Sequence, residues 1–173
     1  MCGISGYILN GNPNIDLEEF DSAIAHRGVD GRGYYFTDEN KSAVLLTHRR
    51  LAIYDITNSG AQPIKSPSGR YILLFNGAIY NFRDIWESIT GDSIPCPASD
   101  TIVLSHAIDK LGVVDSCNKI NGMFSIVIYD IFNDSLFMAR DRFGQKPLFY
   151  IKDPIIRNQR YQGLIFSSEI KQL

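Results

Sequence analysis

MCGISG, residues 1–6, sets a cysteine directly behind the initiator methionine and follows it with Gly3, Ile4, Ser5 and Gly6. If Met1 is removed, Cys2 becomes the chain terminus and carries a thiol and a free α-amine on one residue. That pairing is a nucleophile with a base built in. The alternative is purely structural: Cys2 opens a buried strand, since a free cysteine packs as a small hydrophobe. The remainder of the chain has to decide between the two.

The 173 residues suit one domain with a sizeable core. Hydrophobic residues make up 45% and charged residues 21%, an ordinary globular balance. A formal net charge of -2 gives no electrostatic reason to expect nucleic acid or an anionic membrane as partner. No apolar run approaches the roughly 20 residues that a membrane-spanning helix requires. No basic region followed by an apolar stretch marks a secretory leader, and cysteine rather than glycine at position 2 excludes a myristoylation start.

The three cysteines, Cys2, Cys96 and Cys117, form no CxxC pair and no metal-ligand spacing, so no metal site is expected. Cys96 lies in the proline-rich SIPCPAS and Cys117 in VVDSCNKI near a helix end; structural roles suit both, and a bridge between them stays open. The absence of a leader argues for the reducing cytosol and a cytoplasmic location.

GISGYIL reads as a strand whose small residues permit close backbone approach. NIDLEEFDSAIAHR spaces Leu17, Phe20 and Ile24 as a helix does, with Asp16 as its cap. GYYFTD and SAVLLTH read as paired strands around DENK. RYILLFNGAIYN is β-rich but broken at Asn76-Gly77, and FRDIWESIT follows as a short helix. SDTIVLSHAIDKLG is a helix opened by Ser99 or Asp100 and closed by Gly112. MFSIVIYDIFNDSLFMARDR reads as a hairpin, and QGLIFSSEIKQL as a strand running into a helix start. Many strands with two principal helices suggest α+β layers, helices packed on antiparallel sheet. The halt at EIKQL, inside a starting helix, leads us to expect a fragment of a longer protein.

MCGI, AHRGVDGRG, THRRLAIYD, GAQPI, FNGAIYNF, SDT, INGMFSIVIYD, ARDRFGQKPLFY and FSSEIKQL occur in that order. Together they resemble the glutaminase domain of class II glutamine amidotransferases, and most closely the N-terminal half of asparagine synthetase-type enzymes. The resemblance spans residues 1–173 as a single glutaminase domain. It implies a four-layer αββα sandwich of antiparallel sheets, the N-terminal-nucleophile hydrolase type, and it favours the catalytic reading of Cys2.

The implied reaction is glutamine plus water to glutamate plus ammonia through a γ-glutamyl thioester on Cys2. An α-amine titrating near about 7.7–8.0 is a usable general base at neutral pH without a histidine. The tetrahedral oxyanion needs preorganised donors, which the resemblance places at the Asn76 side-chain amide and the Gly77 N–H. From residue types alone, Asn-Gly is equally a hairpin turn. The substrate α-carboxylate calls for a guanidinium fork, placed by the resemblance at Arg50, and the α-ammonium calls for a carboxylate, placed at Asp100, which also reads as a helix cap. The backbone of Leu51 to Ile53 would line the substrate's edge. Arg27 would support the catalytic terminus, while His26 is read as a hydrogen-bonding residue rather than a base. His48 and Arg49 are read as a solvated strand end. Arg140, Arg142 and Lys146 are read as a solvated basic run, which in the resembled family lies close to the interdomain contact.

Two positions depart from the resembled pattern. HRGVD stands where HRGPD is usual, so Val29 changes only loop stiffness. NGAIYN stands where NGEIYN is usual, so Ala78 lacks a carboxylate that helps hold the substrate ammonium. A charge-assisted hydrogen bond of that kind is worth ~1.5–3 kcal/mol.

No pyrophosphate-binding or Walker-type loop occurs in these residues. The glutaminase domain is thus expected to need no cofactor, with ATP and Mg belonging to a C-terminal or partner synthetase domain that consumes the ammonia. L-glutamine is the expected substrate and a homodimer is one assembly open to the chain. Amidation of a non-aspartate carboxylate such as a sugar acid is the alternative for the whole protein, and a non-catalytic regulatory domain is the alternative from another class.

Overall fold

The opening strand forms where the small and β-branched residues predict it, and everything around Cys2 is built on it. The computed structural model describes residues 1–51, 60–94 and 99–173. In chain order the elements are β1 (Gly3–Leu9), α1 (Leu17–Ser22), β2 (Gly31–Thr37), β3 (Ala43–Arg50), β4 (Ile64–Lys65), β5 (Tyr71–Ile79), α2 (Phe82–Thr90), α3 (Asp100–Leu111), α4 (Val113–Lys119), β6 (Gly122–Asp130), β7 (Ser135–Arg140), β8 (Phe149–Lys152), β9 (Ile155–Ile156), β10 (Gln159–Arg160) and β11 (Gly163–Ser167). Short 3₁₀ turns occupy Ala25–Arg27 and Ile170–Gln172. The chain divides into two units, Met1–Ala52 with Pro147–Leu173, and Ile53–Lys146.

In the first unit a five-stranded antiparallel sheet runs β2-β3-β1-β11-β8. β1 is central, paired with β3 (Gly3 opposite Arg49) and with β11 (Ser5 opposite Ser167). Gly6 is needed at this crossing, because a Cβ there would collide with the Leu45 carbonyl oxygen and the Phe166 ring. One face of the sheet packs Tyr7, Leu9 and Leu45 against Phe20 of α1, and the Tyr7 and Phe20 rings meet edge to face at 6.0 Å. Asp16 caps α1 by accepting from the Glu19 N–H at 2.9 Å. The helix expected over NIDLEEFDSAIAHR is shorter than its apolar spacing: it ends at Ser22, and the chain continues as the 3₁₀ turn at Ala25–Arg27.

In the second unit a four-stranded antiparallel sheet runs β4-β5-β6-β7. Helices α2 to α4 cover one face, burying Ile85, Ile89, Val103, Leu104 and Ile108 against Leu73, Phe75, Ile126 and Ile128. Each such side chain contributes ~1.5–3 kcal/mol of burial. The Ser99 hydroxyl caps α3 by accepting from the Ile102 N–H at 3.3 Å, and Gly112, at φ 82°, closes it. The break expected at Asn76-Gly77 does not occur. β5 runs straight through, with Asn76 opposite Ser125 and Gly77 opposite Phe124, because nine residues of β6 hold it in register. Gly77 serves close approach rather than a turn, since a Cβ on it would collide with the Met123 carbonyl oxygen.

β9 and β10 form a separate two-stranded antiparallel sheet in the first unit. Each unit sets helix against its main antiparallel sheet, the α+β composition the sequence predicts. Among the described residues no helix is long and apolar enough to cross a membrane. Cys117 sits within α4 as a free thiol, and Cys96 lies outside the described residues.

Candidate functional site

The expected site residues form two clusters, one in each unit. In the first, the central position of β1 brings the chain start up against the end of β3. The Leu51 N–H lies 3.5 Å from the Cys2 Sγ as a donor, and the thiol in turn points at the Leu51 carbonyl oxygen at 3.8 Å. Arg27, arriving from its 3₁₀ turn, donates through Nε to the Cys2 carbonyl oxygen at 3.1 Å and through Nη1 to Glu169 Oε1 at 3.1 Å. Cys2 is thus in direct contact with both Arg27 and Leu51. Arg50 is the last residue of β3, beside Leu51, and its carbonyl accepts from the Asp30 N–H at 3.0 Å. Ile53 lies outside the described residues.

The reading of His48 and Arg49 as a solvated strand end is corrected. His48 is 1% exposed, and burial, reinforced by the Arg50 charge, lowers its pKa to about 4. Its Nε2 has no hydrogen-bond partner among the described residues. Arg49 forms an ion pair with the fully buried Asp21, which Arg32 Nε also meets at 2.7 Å. The pairing of β3 between β1 and β2 draws these residues inward, where an isolated strand end would leave them in water. His26 pairs with Glu169 at 2.6 Å, in keeping with its expected hydrogen-bonding role.

The second cluster is built along one edge of β5. In an antiparallel pair, residues alternate between turning their backbone groups toward and away from the neighbouring strand. Phe124 gives its N–H to Asp141 and its carbonyl to the Asp141 N–H, so its partner Gly77 faces away from β6. Phe75 and Ile79 share that outward direction. Phe75 exchanges two hydrogen bonds with the Gln62 side-chain amide, at 2.5 and 3.0 Å, and the Ile79 N–H donates to Asp100 Oδ2 at 3.0 Å. The Gly77 N–H stands between these two anchored positions. Asn76 is 2% exposed, and its Nδ2 has no partner among the described residues. A buried amide donor left unpaired costs about 1–3 kcal/mol, so this nitrogen is suited to an acceptor that arrives from outside.

Asp100 is the first residue of α3, and the cap itself is Ser99, so the reading of Asp100 as the cap is replaced by another. Its carboxylate accepts from the Ile79 and Thr101 N–H groups, tying the helix start to the end of β5. Burial raises its pKa above the ordinary aspartate value, and those backbone donors offset only part of that effect. Ala78, one residue before Ile79, sits opposite Met123.

Of the basic run, Arg140 and Arg142 are exposed, as expected of a solvated face, and only Lys146 departs from that reading. Arg140 folds back onto its own loop, donating to the Lys146 and Gly144 carbonyls at 2.6 Å each, and Lys146 is buried. Asp141 organises the turn by accepting N–H groups from Phe124, Phe143, Gln145 and Lys146. The FGQKP sequence thus encodes a tight loop, whose Lys146 and Gly144 carbonyls are satisfied by the Arg140 guanidinium. Glu169 was not singled out by the sequence reading, although it lies within FSSEIKQL; only the fold brings it to Arg27. Among the described residues no three His, Cys, Asp or Glu side chains are grouped to hold a metal ion.

Over residues 1–173 the chain matches the family described as glutamine amidotransferase domain. It is 35% identical over 179 residues to glutamine-hydrolyzing asparagine synthetase 2 of Bacillus subtilis, a match covering all of this chain and 22% of that relative. It is 32% identical over 187 residues to putative glutamine-hydrolyzing asparagine synthetase 2 of Methanocaldococcus jannaschii, covering 99% of this chain and 34% of that relative. This chain therefore spans about a third or less of the length of these relatives. The solved structure of glutamine phosphoribosylpyrophosphate amidotransferase from B. subtilis, complexed with ADP and GMP, matches with a TM-score of 0.72 at 20% identity, over 99% of this chain and 42% of that one. The likeness shows the fold, the N-terminal-nucleophile type with antiparallel sheets that the motifs imply.

Proposed function

From the premise that this chain belongs to the glutamine amidotransferase domain family, in its asparagine synthetase-like branch, we propose that it hydrolyses L-glutamine to glutamate and ammonia through Cys2. With Met1 removed, the Cys2 α-amine takes the thiol proton as sulfur attacks the glutamine carboxamide carbon. The oxyanion accepts hydrogen bonds from Asn76 Nδ2 and the Gly77 N–H. Collapse breaks the C–N bond, and the ammonium form of the α-amine returns the proton to the leaving nitrogen, leaving the thioester and ammonia. Water then adds to the thioester, giving glutamate and the free thiol.

Arg50 would take the substrate α-carboxylate, Asp100 its ammonium, and the Leu51 to Ile53 backbone its edge. The observation that carries this reading is the placement of Cys2 at the start of a central strand, with its thiol against the Leu51 main chain and its carbonyl held by Arg27. The Asn76 amide, which has no partner among the described residues, suits the oxyanion role that this reading gives it.

In the whole protein, residues 1–173 would act as the glutaminase domain, passing ammonia to an ATP- and Mg-dependent synthetase domain in the same cytoplasmic chain or a partner. Aspartate is the acceptor suggested by the names of the relatives. Ala78 favours a second reading, amidation of a different carboxylate such as a sugar acid.

Glutamate release by the processed chain, the Met1-retaining chain and Cys2 variants tests the proposal. Cys2→Ala should abolish release and Cys2→Ser should leave at most a trace, because an alkoxide forms far less readily than a thiolate. Retained Met1 should inactivate fully, since it converts the base into an amide. Equal activity with and without Met1 overturns the terminal-amine mechanism.

A further inference from the structure

The carbonyl of Cys2 is held by Arg27, and Arg27 is in turn held by Glu169. Arg27 has little lateral freedom: its stem lies against Gly3, where an added Cβ would stand 3.2 Å from Arg27 Cβ and 3.3 Å from its Cδ. Its side chain is only 10% exposed.

Glu169 is equally fixed. Its N–H donates to the Ser167 Oγ at 3.0 Å, and the adjacent Ser168 grips β1 twice, donating its N–H to the Ile4 carbonyl at 2.8 Å and accepting the Ile4 N–H on Oγ at 3.0 Å. Gln172 completes the bracket, donating to Ser5 Oγ at 3.0 Å and to the Phe20 carbonyl at 2.6 Å. The groups facing the carboxylate are the His26 imidazole at 2.6 Å and the cationic Arg27 at 3.1 Å and Lys171 at 3.4 Å. Burial opposes ionisation of Glu169, but these three donors outweigh it and hold the carboxyl below the ordinary glutamate range.

We propose that Glu169 is a positioning residue for the Cys2 nucleophile, acting through the Arg27 guanidinium; the inference rests on the reading of Cys2 given above. The thiol and the α-amine both hang from the Cys2 Cα. Leu51 fixes the direction of the sulfur, and the Arg27 bond to the Cys2 carbonyl fixes the peptide that follows. Together they set where the α-amine points. Glu169 keeps Arg27 in the orientation that reaches this carbonyl, and its charge offsets the guanidinium beside the terminus. Removing that charge leaves a more positive surrounding for the α-ammonium, which then gives up its proton at lower pH.

The test uses the processed chain with Glu169→Gln, Glu169→Ala and Glu169→Asp, and with Glu18→Gln as a surface-acid control. Glu18 is exposed and meets Arg32 on its own side of the unit. kcat and KM for glutamine are measured against pH. Glu169→Gln should lower kcat about tenfold, hold KM within about twofold, and move the acid limb of kcat/KM down by several tenths of a pH unit. Glu169→Ala should lose more rate with the same displacement. Glu169→Asp should lose rate but leave the acid limb in place, because the charge remains. The control should match the unsubstituted chain.

Unchanged kcat and acid limb in the Gln and Ala variants, with a parent that hydrolyses glutamine, overturn the proposal. A melting transition lowered with no displacement of the acid limb also overturns it, since that marks a merely structural bracket. Glutamate release that survives Cys2→Ala would instead overturn the underlying reading of Cys2.

Discussion

The amide nitrogen of Leu51 and the sulfur of Cys2 lie 3.5 Å apart although 49 residues separate them in the chain. The relationship follows from register. Gly3 stands opposite Arg49 in the β1–β3 ladder, so the residue preceding β1 must meet the residues that follow β3. Extending or shifting β3 by one residue would turn a different backbone group toward the thiol. The thiol direction is therefore a property of strand pairing, and the proposed chemistry inherits its geometry from the sheet.

Arg50 and Asp100 are expected to act on binding rather than on bond making. Arg50→Lys keeps a charge but loses the bidentate fork, and KM for glutamine should rise about tenfold or more with little change in kcat. Asp100 gives the pH dependence. Because burial raises its pKa, it protonates above the ordinary aspartate range as pH falls and ceases to offset the substrate ammonium. KM should therefore climb on acidification before an exposed aspartate would titrate. Steady-state kinetics from pH 8 downward check both points; a fall in kcat at constant KM in the Arg50 variant counts against the clamp.

Ala78 precedes the residue whose N–H binds Asp100, so a carboxylate introduced there begins beside the one already present. Ala78→Glu should strengthen glutamine binding by about 1–2 kcal/mol, a factor of roughly 5–30, with kcat little changed. Calorimetric titration of glutamine into Cys2→Ala, with and without Ala78→Glu, isolates binding from turnover. Weaker binding in the doubly substituted protein would mean that the pocket is built around the methyl group.

His48 supplies an acid-labile component of stability. Its folded-state pKa of about 4 lies below the ordinary histidine value, so the unfolded chain binds the extra proton first. The corresponding stability is present above the ordinary histidine pKa and is lost as pH falls through the interval down to about 4. The loss is on the order of 3 kcal/mol. His48→Gln, which cannot titrate, should flatten the dependence of urea midpoint on pH across that interval. An unchanged slope would show that burial does not lower the His48 pKa.

The local sequence settled those features whose causes are local. Asp16 before LEEF, Ser99 before DTIV and Gly112 after DKL specify helix ends because capping involves neighbours within a few residues. β-rich runs of aliphatic and aromatic residues mark β1, β6 and the first half of β5 as strands. The ordered motifs specified the family and selected Cys2, Arg27, Arg50, Asn76, Gly77 and Asp100 for attention.

Tertiary structure decided whatever depends on partners distant in the chain. Asn76-Gly77 carries the residue types of a turn, yet β6 pairs across it and keeps β5 straight, since a ladder outweighs a two-residue preference. His48, Arg49 and Lys146 have the composition of solvated positions, and strand pairing or a loop that satisfies its own carbonyls takes them inward. Glu169 lies 142 residues from Arg27, and only the antiparallel return of β11 beside β1 makes them an ion pair. Propensity acts over a turn or two of chain, whereas register and burial are set by surfaces that meet only once the sheet has formed.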